Sequence, residues 1–393
     1  MSLHDNSTQV PLPQSIAFLE SFYGGSHREF ADCLGEHSRH KVDVFTLPDK
    51  HWGWRMRWAA RYFAEQLLTR PRYDLILATD LINLADLTAI LSRHGYHVPV
   101  LLYMHENQLS YPRSDGKSPP LEHVLTDIKN VLTAHRTLFN SAFHRDSFLS
   151  AADSVLKGIP GFDTSCEHKL LRDTSIVVYP GVEHASGAPQ AKAVADGPVI
   201  VWNHRWEADK QPGVFRRVIE QLDGQGMAFS LILLGEHPAG AGSSGKTGGY
   251  NPEFEALCSR FSQHIIHSGY AQDRAEYFRL LRLGDIVVST AKQENFGLSM
   301  LQAIDAGCWP LAPKRLAYPE VLPAEVHALC LYKDMDDLIR KITALWGARL
   351  SAQPDQTWEP LRNTLLERAA EFHWERRIRE FDDLIEETVA LNC

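Results

Sequence analysis

The sequence predicts an α/β protein made of two consecutive parallel sheets, each covered by helices. Three observations carry this. Short apolar runs alternate with amphipathic segments, the pattern restarts near residue 198, and the stretch between the two sets has no apolar period. The first set is SIAFLE (15–20), VDVFTL (42–47), DLILAT (74–79), VPVLLYM (98–104) and TLFN (137–140). Runs this continuously apolar suit strands buried on both faces. Segments 55–69, 83–94 and 141–157 read as helices between them.

The second set is PVIVWN (198–203), FSLILLG (229–235), HIIHSGY (264–270), DIVVST (285–290) and CWPLAP (308–313). Helices are expected at about 210–225, 252–262, 273–283 and 297–306. Residues 184–198 are rich in Ala, Gly and Pro and read as a linker. Two Rossmann-like domains result, 1–186 and 187–370, with a cleft where the carboxyl ends of both sheets meet. The tail 358–391 has helical periodicity, and its end, 371–393, is expected as a helix packing back on the first domain.

The 393 residues are 44% hydrophobic and 23% charged, an ordinary globular balance. No apolar run reaches the roughly 18 residues that span a membrane. The polar start MSLHDNSTQVPLPQ lacks an apolar signal core, so a cytoplasmic protein is expected. A net charge of −9 argues against a surface that is basic throughout. The six cysteines stand singly, without a Cys-x-x-Cys pair, which points to reduced thiols. His264 and His267 flank an apolar pair, and no metal site is expected.

Residues 240–247, GAGSSGKT, fit a phosphate-binding loop pattern literally. Such a loop needs a helix starting at its lysine. Here Gly248, Gly249, Tyr250, Asn251 and Pro252 follow Thr247 and would break one, so a Gly/Ser surface loop is the better reading.

Chemistry concentrates in the second half. Arg205 lies just past the strand 198–203, and Lys210 opens the next helix. A guanidinium and an ammonium at this spacing can hold a diphosphate from two sides. Taken alone, a surface ion pair with Glu207 or Asp209 would be the better reading. Glu294 lies in the loop after strand 285–290, and Gly297 and Leu298 begin a helix whose free amides could seat a phosphate. Glu294 would then accept hydrogen bonds from sugar hydroxyls. Gln302 lies two turns into that helix.

In the first half, Gly24 and Gly25 permit close backbone approach to a ligand, or a simple tight turn. His105 and Asn107 follow the fourth strand; a buried structural histidine is the alternative for His105. Asn140, His144 and Arg145 follow the fifth strand and would shape the same wall. The segment His51 to Tyr62 interleaves Trp52, Trp54, Trp58 and Tyr62 with Arg55, Arg57 and Arg61. That pattern suits RNA phosphates and unpaired bases, or a helix with its aromatics inward and arginines outward.

The pattern from Glu294 to Gln302 and the Arg205–Lys210 pair resemble retaining GT-B glycosyltransferases. More narrowly, the chain resembles the tRNA-queuosine α-mannosyltransferase family. The resemblance spans roughly 15–325 and is carried by Phe22 to His27, His51 to Arg57, Met104 to Pro112, Phe139 to Phe148, Trp202 to Lys210 and Arg315 to Glu320. It implies a GT-B fold and transfer of mannose from GDP-mannose to queuosine in a tRNA anticodon loop, retaining configuration and using no metal or other cofactor. The implied catalytic set is His105, Arg205, Lys210 and Glu294. The donor set is Gly24, Gly25, Tyr270, Asn295, Phe296, Gly297, Leu298 and Gln302. The tRNA set is His27, Arg55, Arg57, Asn107, Asn140, His144 and Arg145. One departure stands out: the wider class has a second glutamate where this chain has Gln302. A lipid or glycan acceptor with another donor, or a non-catalytic binder of queuosine tRNA, are the rival readings. No membrane association is expected.

Overall fold

A computed structural model describes residues 12–111, 119–184, 197–235, 252–350 and 355–391. The Gly/Ser segment 240–247 and most of the expected linker lie outside the described residues.

Six strands form the first sheet: β1 (Ser15–Tyr23), β2 (Lys41–Pro48), β3 (Leu75–Thr79), β4 (Val100–Met104), β5 (Arg136–Phe139) and β6 (Ser175–Val177). Their spatial order is β2-β1-β3-β4-β5-β6, and every pairing is parallel. The second sheet holds β7 (Val199–Asn203), β8 (Ser230–Leu234), β9 (Ile265–Gly269), β10 (Ile286–Val288), β11 (Trp309–Pro313) and β12 (Leu331–Tyr332). Its order is β12-β11-β10-β7-β8-β9, again parallel. The ten strands read from apolar runs are all present. The two that were not read, β6 and β12, are three and two residues long, too short to make a run of their own.

Each sheet is buried on both faces. Ala17, Leu19, Ile76, Ala78, Leu102 and Met104 pack one face of the first sheet against helices that include Trp52–Leu68 and Leu121–Thr133. Ile16, Phe18, Leu75, Leu77, Leu101 and Tyr103 point the other way. The last helix, Trp374–Ala390, covers that second face with Trp374, Ile378, Phe381, Leu384 and Ile385. Ser38 donates to Asp382 at 2.6 Å and Arg39 pairs with Asp383 at 2.8 Å, fixing the helix from its polar side. The chain therefore ends on the domain in which it began.

The end of the first domain and the start of the returning segment meet at Val182, whose amide donates to the Phe372 carbonyl at 2.7 Å. Beside it, a Cβ on Gly181 would lie 2.0 Å from Cδ2 of Trp374. Gly181→Ala should push the last helix off the sheet and destabilise the protein by about 1–3 kcal/mol, as overpacking typically does. Thermal unfolding reads this as a Tm lower by several degrees; an unchanged Tm would show that Trp374 yields freely. No described helix is long and apolar enough to cross a membrane.

Candidate active site

The loops at the carboxyl ends of both sheets meet, and polar ties join them. Asn295 Nδ2 donates to the His105 carbonyl at 3.1 Å. Gln302 Nε2 donates to Glu29 Oε1 at 2.7 Å. The Glu320 carboxylate accepts the Ala142 and Phe143 amides at 2.6 and 2.9 Å, so a second-domain residue caps the first-domain helix Ala142–Lys157.

The first-domain wall starts where β1 ends. Gly24 is extended, but a Cβ there would sit 2.1 Å from Oδ2 of Asp49, so only glycine lets the β1 and β2 loops meet. Gly25 has φ +52° and opens the helix Gly25–His37. Behind this turn, the His27 ring lies tilted against that of His105 with ring centroids 4.0 Å apart. His27 Nδ1 lies 3.3 Å from Glu20 Oε1, and His105 Nε2 lies 3.8 Å from Glu20 Oε2. Burial opposes a charge on His27, but Glu20 outweighs it and raises its pKa to about 9. His105 goes the other way: burial, then the charge on His27, hold it well below the usual histidine range. The two rings thus divide the work, a cation held by Glu20 and a neutral imidazole.

His105 is fixed by its backbone. Its amide donates to Asp80 Oδ1 at 3.1 Å, and its carbonyl accepts Asn140 Nδ2 at 3.0 Å besides Asn295. The neutral ring can both donate to and accept from a hydroxyl.

The second-domain wall is built from two loops tied together. Lys292 donates its amide to the Asp209 carbonyl at 2.7 Å, and the Thr290 hydroxyl donates to the Lys210 carbonyl at 2.6 Å. Lys210 is buried. Its Nζ donates to the Gln293 carbonyl at 2.7 Å and lies 3.3 Å from Asp209 and 3.4 Å from Glu294. Burial works against its charge, but Glu294 and Asp209 outweigh it and raise its pKa. The lysine therefore stays an ammonium. Arg205 stands on the rim, 53% exposed, with Glu207 at 3.4 Å as its partner.

Several sequence expectations change here. The Gly297 amide is not free: it donates to Glu294 Oε1 at 3.1 Å, with Gly297 at φ +99°. Glu294 therefore occupies the anion seat expected for a phosphate, and Leu298 packs on the second-domain core. Phe296 is a core residue against Phe372 and Tyr179. Gln302 is buried between the Tyr277 hydroxyl at 2.7 Å and Glu29, so its side chain ties the two domains. Tyr270 is 74% exposed, outside this cluster.

Among the residues expected to face RNA, His27 belongs to the Glu20–His105 cluster. Asn107 is buried and accepts the Leu109 and Ser110 amides, shaping its own loop. Asn140 holds His105, and His144 is buried, neutral and bonded to Asn140 at 2.8 Å. Arg145 pairs with its neighbour Asp146 at 2.9 Å. Arg55 bonds the Pro48 carbonyl at 3.0 Å, and Arg57 pairs with Glu122 at 2.6 Å. Glu20, Glu29, Asp80, Arg274 and Tyr277 were not singled out from sequence, because nothing near them in the chain marks them.

Glu20, His27 and His105 offer ligand atoms within 4.8 Å of one another, the grouping among the described residues that could hold a metal. The Glu20–His27 ion pair opposes this, since it keeps a proton where a metal needs a lone pair.

Two parallel sheets facing each other across a polar cleft define the GT-B glycosyltransferase architecture. Sucrose-phosphate synthase from Thermosynechococcus elongatus superposes with a TM-score of 0.72 at 15% identity, covering 96% of this chain and all (100%) of that one. The catalytic domain of starch synthase IV from Arabidopsis thaliana, bound to ADP and acarbose, gives a TM-score of 0.67 at 11% identity over 96% of this chain and 100% of its own. At these identities the likeness shows the fold alone. The sequence goes further. A model of the N-terminal region of tRNA-queuosine alpha-mannosyltransferase matches residues 15–182. The Drosophila melanogaster tRNA-queuosine alpha-mannosyltransferase is 31% identical over 338 residues, 83% of this chain and 85% of the relative. The chain belongs to the tRNA-queuosine alpha-mannosyltransferase family.

Proposed function

We propose that the protein transfers mannose from GDP-mannose to the cyclopentene diol of queuosine in a tRNA anticodon loop, with retention of configuration and without a metal. Family membership supports the sugar and the acceptor. The observation that carries the chemistry is the buried Lys210 ammonium between Glu294 and Asp209, in the loops that face His105.

Breaking the sugar–phosphate bond leaves charge on a nucleoside diphosphate. Lys210 is charged in advance and fixed by three oxygens, so it meets that charge without reorganising. Arg205 exchanges an exposed pair with Glu207, which is worth little, for the diphosphate. His105 and Glu294 orient the sugar hydroxyls. In this reading Glu294 gives up the Gly297 amide when the donor phosphate arrives. No side-chain nucleophile is invoked: the acceptor hydroxyl attacks on the face that the diphosphate leaves, through an oxocarbenium-like state.

Mass spectrometry of nucleosides from queuosine tRNA incubated with the enzyme and GDP-mannose tests this reading. The expected product is queuosine heavier by one hexose residue, absent with unmodified tRNA. Product from UDP- or ADP-sugars instead would overturn the donor assignment. Transfer to a lipid alone would overturn the acceptor assignment.

A further inference from the structure

Three aromatic rings on the helix Trp52–Leu68 are exposed. Trp54 is 67% exposed, Trp58 65% and Tyr62 40%. They follow one another at every fourth residue, so they share a helix face and climb it in steps of about 6 Å. Among the described tryptophan side chains, these two are the exposed ones. The opposite face of the helix, with Met56, Ala59, Ala60, Phe63, Ala64 and Leu67, is buried in the first-domain core.

The exposed face continues from the cleft. Asp49, just before the helix, touches the Gly24 turn. Trp54 and Trp58 share a groove with Asn83, Asp86, Thr126 and Lys129. Asn83 caps the helix Leu84–Arg93, and Thr126 lies in the second turn of Leu121–Thr133, so the groove lies at the helix ends that point to the cleft. From Lys50 to Tyr62 the chain has Lys50, Arg55, Arg57 and Arg61 and no carboxylate, within a protein of net charge −9.

We propose that Trp54, Trp58 and Tyr62 form a stacking platform for unpaired bases of the RNA acceptor beyond the nucleotide being modified. This rests on the tRNA reading above. Every base has a face to stack, so such a platform holds the loop without dictating its sequence. Lys50 and Lys129, both exposed, supply phosphate contacts along the same edge. Charge and exposed indoles would also suit an anionic lipid surface. The structure favours RNA, because the aliphatic face of the helix is buried in the core and what remains exposed is a single file of three rings rather than the broad apolar face an interfacial helix inserts.

The test uses the full-length enzyme and a short RNA hairpin of anticodon-loop sequence without modified bases. Binding to it does not depend on the sugar chemistry. Trp54→Ala and Trp58→Ala should each weaken binding on the order of tenfold, and the double variant more. Trp58→Phe should recover most of the loss, and donor binding should be unchanged throughout. Unchanged hairpin binding by the double variant overturns the platform, even if queuosine is still mannosylated. Loss of binding to phosphatidylserine vesicles with RNA binding intact overturns it in favour of a lipid surface. Weakened hairpin binding with no queuosine product in the wild type leaves the platform standing and sinks the acceptor assignment.

Discussion

Lys210→Ala should lower the rate of glycosyl transfer by about 10²–10³, the cost of removing one preorganised charge stabiliser. Its ammonium is held by the Gln293 carbonyl at 2.7 Å, Asp209 at 3.3 Å and Glu294 at 3.4 Å, so no neighbouring cation can take its place without rebuilding both loops. The substitution also leaves two carboxylates facing each other in a largely buried site. Some stability is therefore lost with the activity. The two effects separate in the Lys210→Ala/Glu294→Gln double variant, which removes one of the stranded charges. Its Tm should rise toward the wild type while transfer stays low. Single-turnover transfer and thermal unfolding on the same samples read both quantities. A Lys210→Ala enzyme within tenfold of the wild-type rate would remove Lys210 from the site.

The second large effect concerns position 302. A glutamate there would bring a second carboxylate to 2.7 Å from Glu29, where the Gln302 amide now donates. Glu29 also accepts from Arg274 at 3.2 Å, and Arg274 pairs with Glu183. Gln302→Glu should therefore push the two domains apart, lowering both Tm and activity. Glu29→Gln/Gln302→Glu should restore a neutral–anionic pair and recover most of the loss. That recovery defines a coupling of about 0.5–3 kcal/mol for residues in direct contact. Without recovery, the contact would not tie the domains.

Glu29 also gives this tie a pH dependence. Burial raises its pKa to about 7, Arg274 opposing and Glu183 adding to the rise. A carboxyl with a raised folded-state pKa contributes stability that is fully present below about pH 4.5 and lost as pH rises through about 7. The Tm of the wild type minus that of Glu29→Gln should fall across this window. A flat difference would mean that Glu29 does not titrate there.

The sheets were legible because continuous apolar runs leave few alternatives to a strand covered on both faces. The second-domain loops were legible because Arg205, Lys210 and Glu294 follow strand ends, where such folds place their ligands. What sequence position could not tell was which way each neighbour turns. Phe296 stands two residues from Glu294 and faces the core. His144 and Asn140 sit at the head of a helix by the cleft, yet they brace His105 rather than reach outward. Glu20 was not legible because a carboxylate inside an apolar strand has its meaning only through His27, on the next helix, and His105, far along the chain. Glu29 likewise acquires its role from Arg274 and Gln302.

The return of the last helix to the first sheet bears on what counts as a unit of this protein. The family-matched region, 15–182, is continuous in sequence but lacks the segment that roofs one of its faces. Cut free, it would expose Phe18, Phe30, Leu77 and Tyr103 to water. Nascent chains must leave that surface open until residues 374–390 have been made. The N-terminal half is thus a region that can be recognised by its sequence, yet it reaches its finished form only once residues 374–390 are in place.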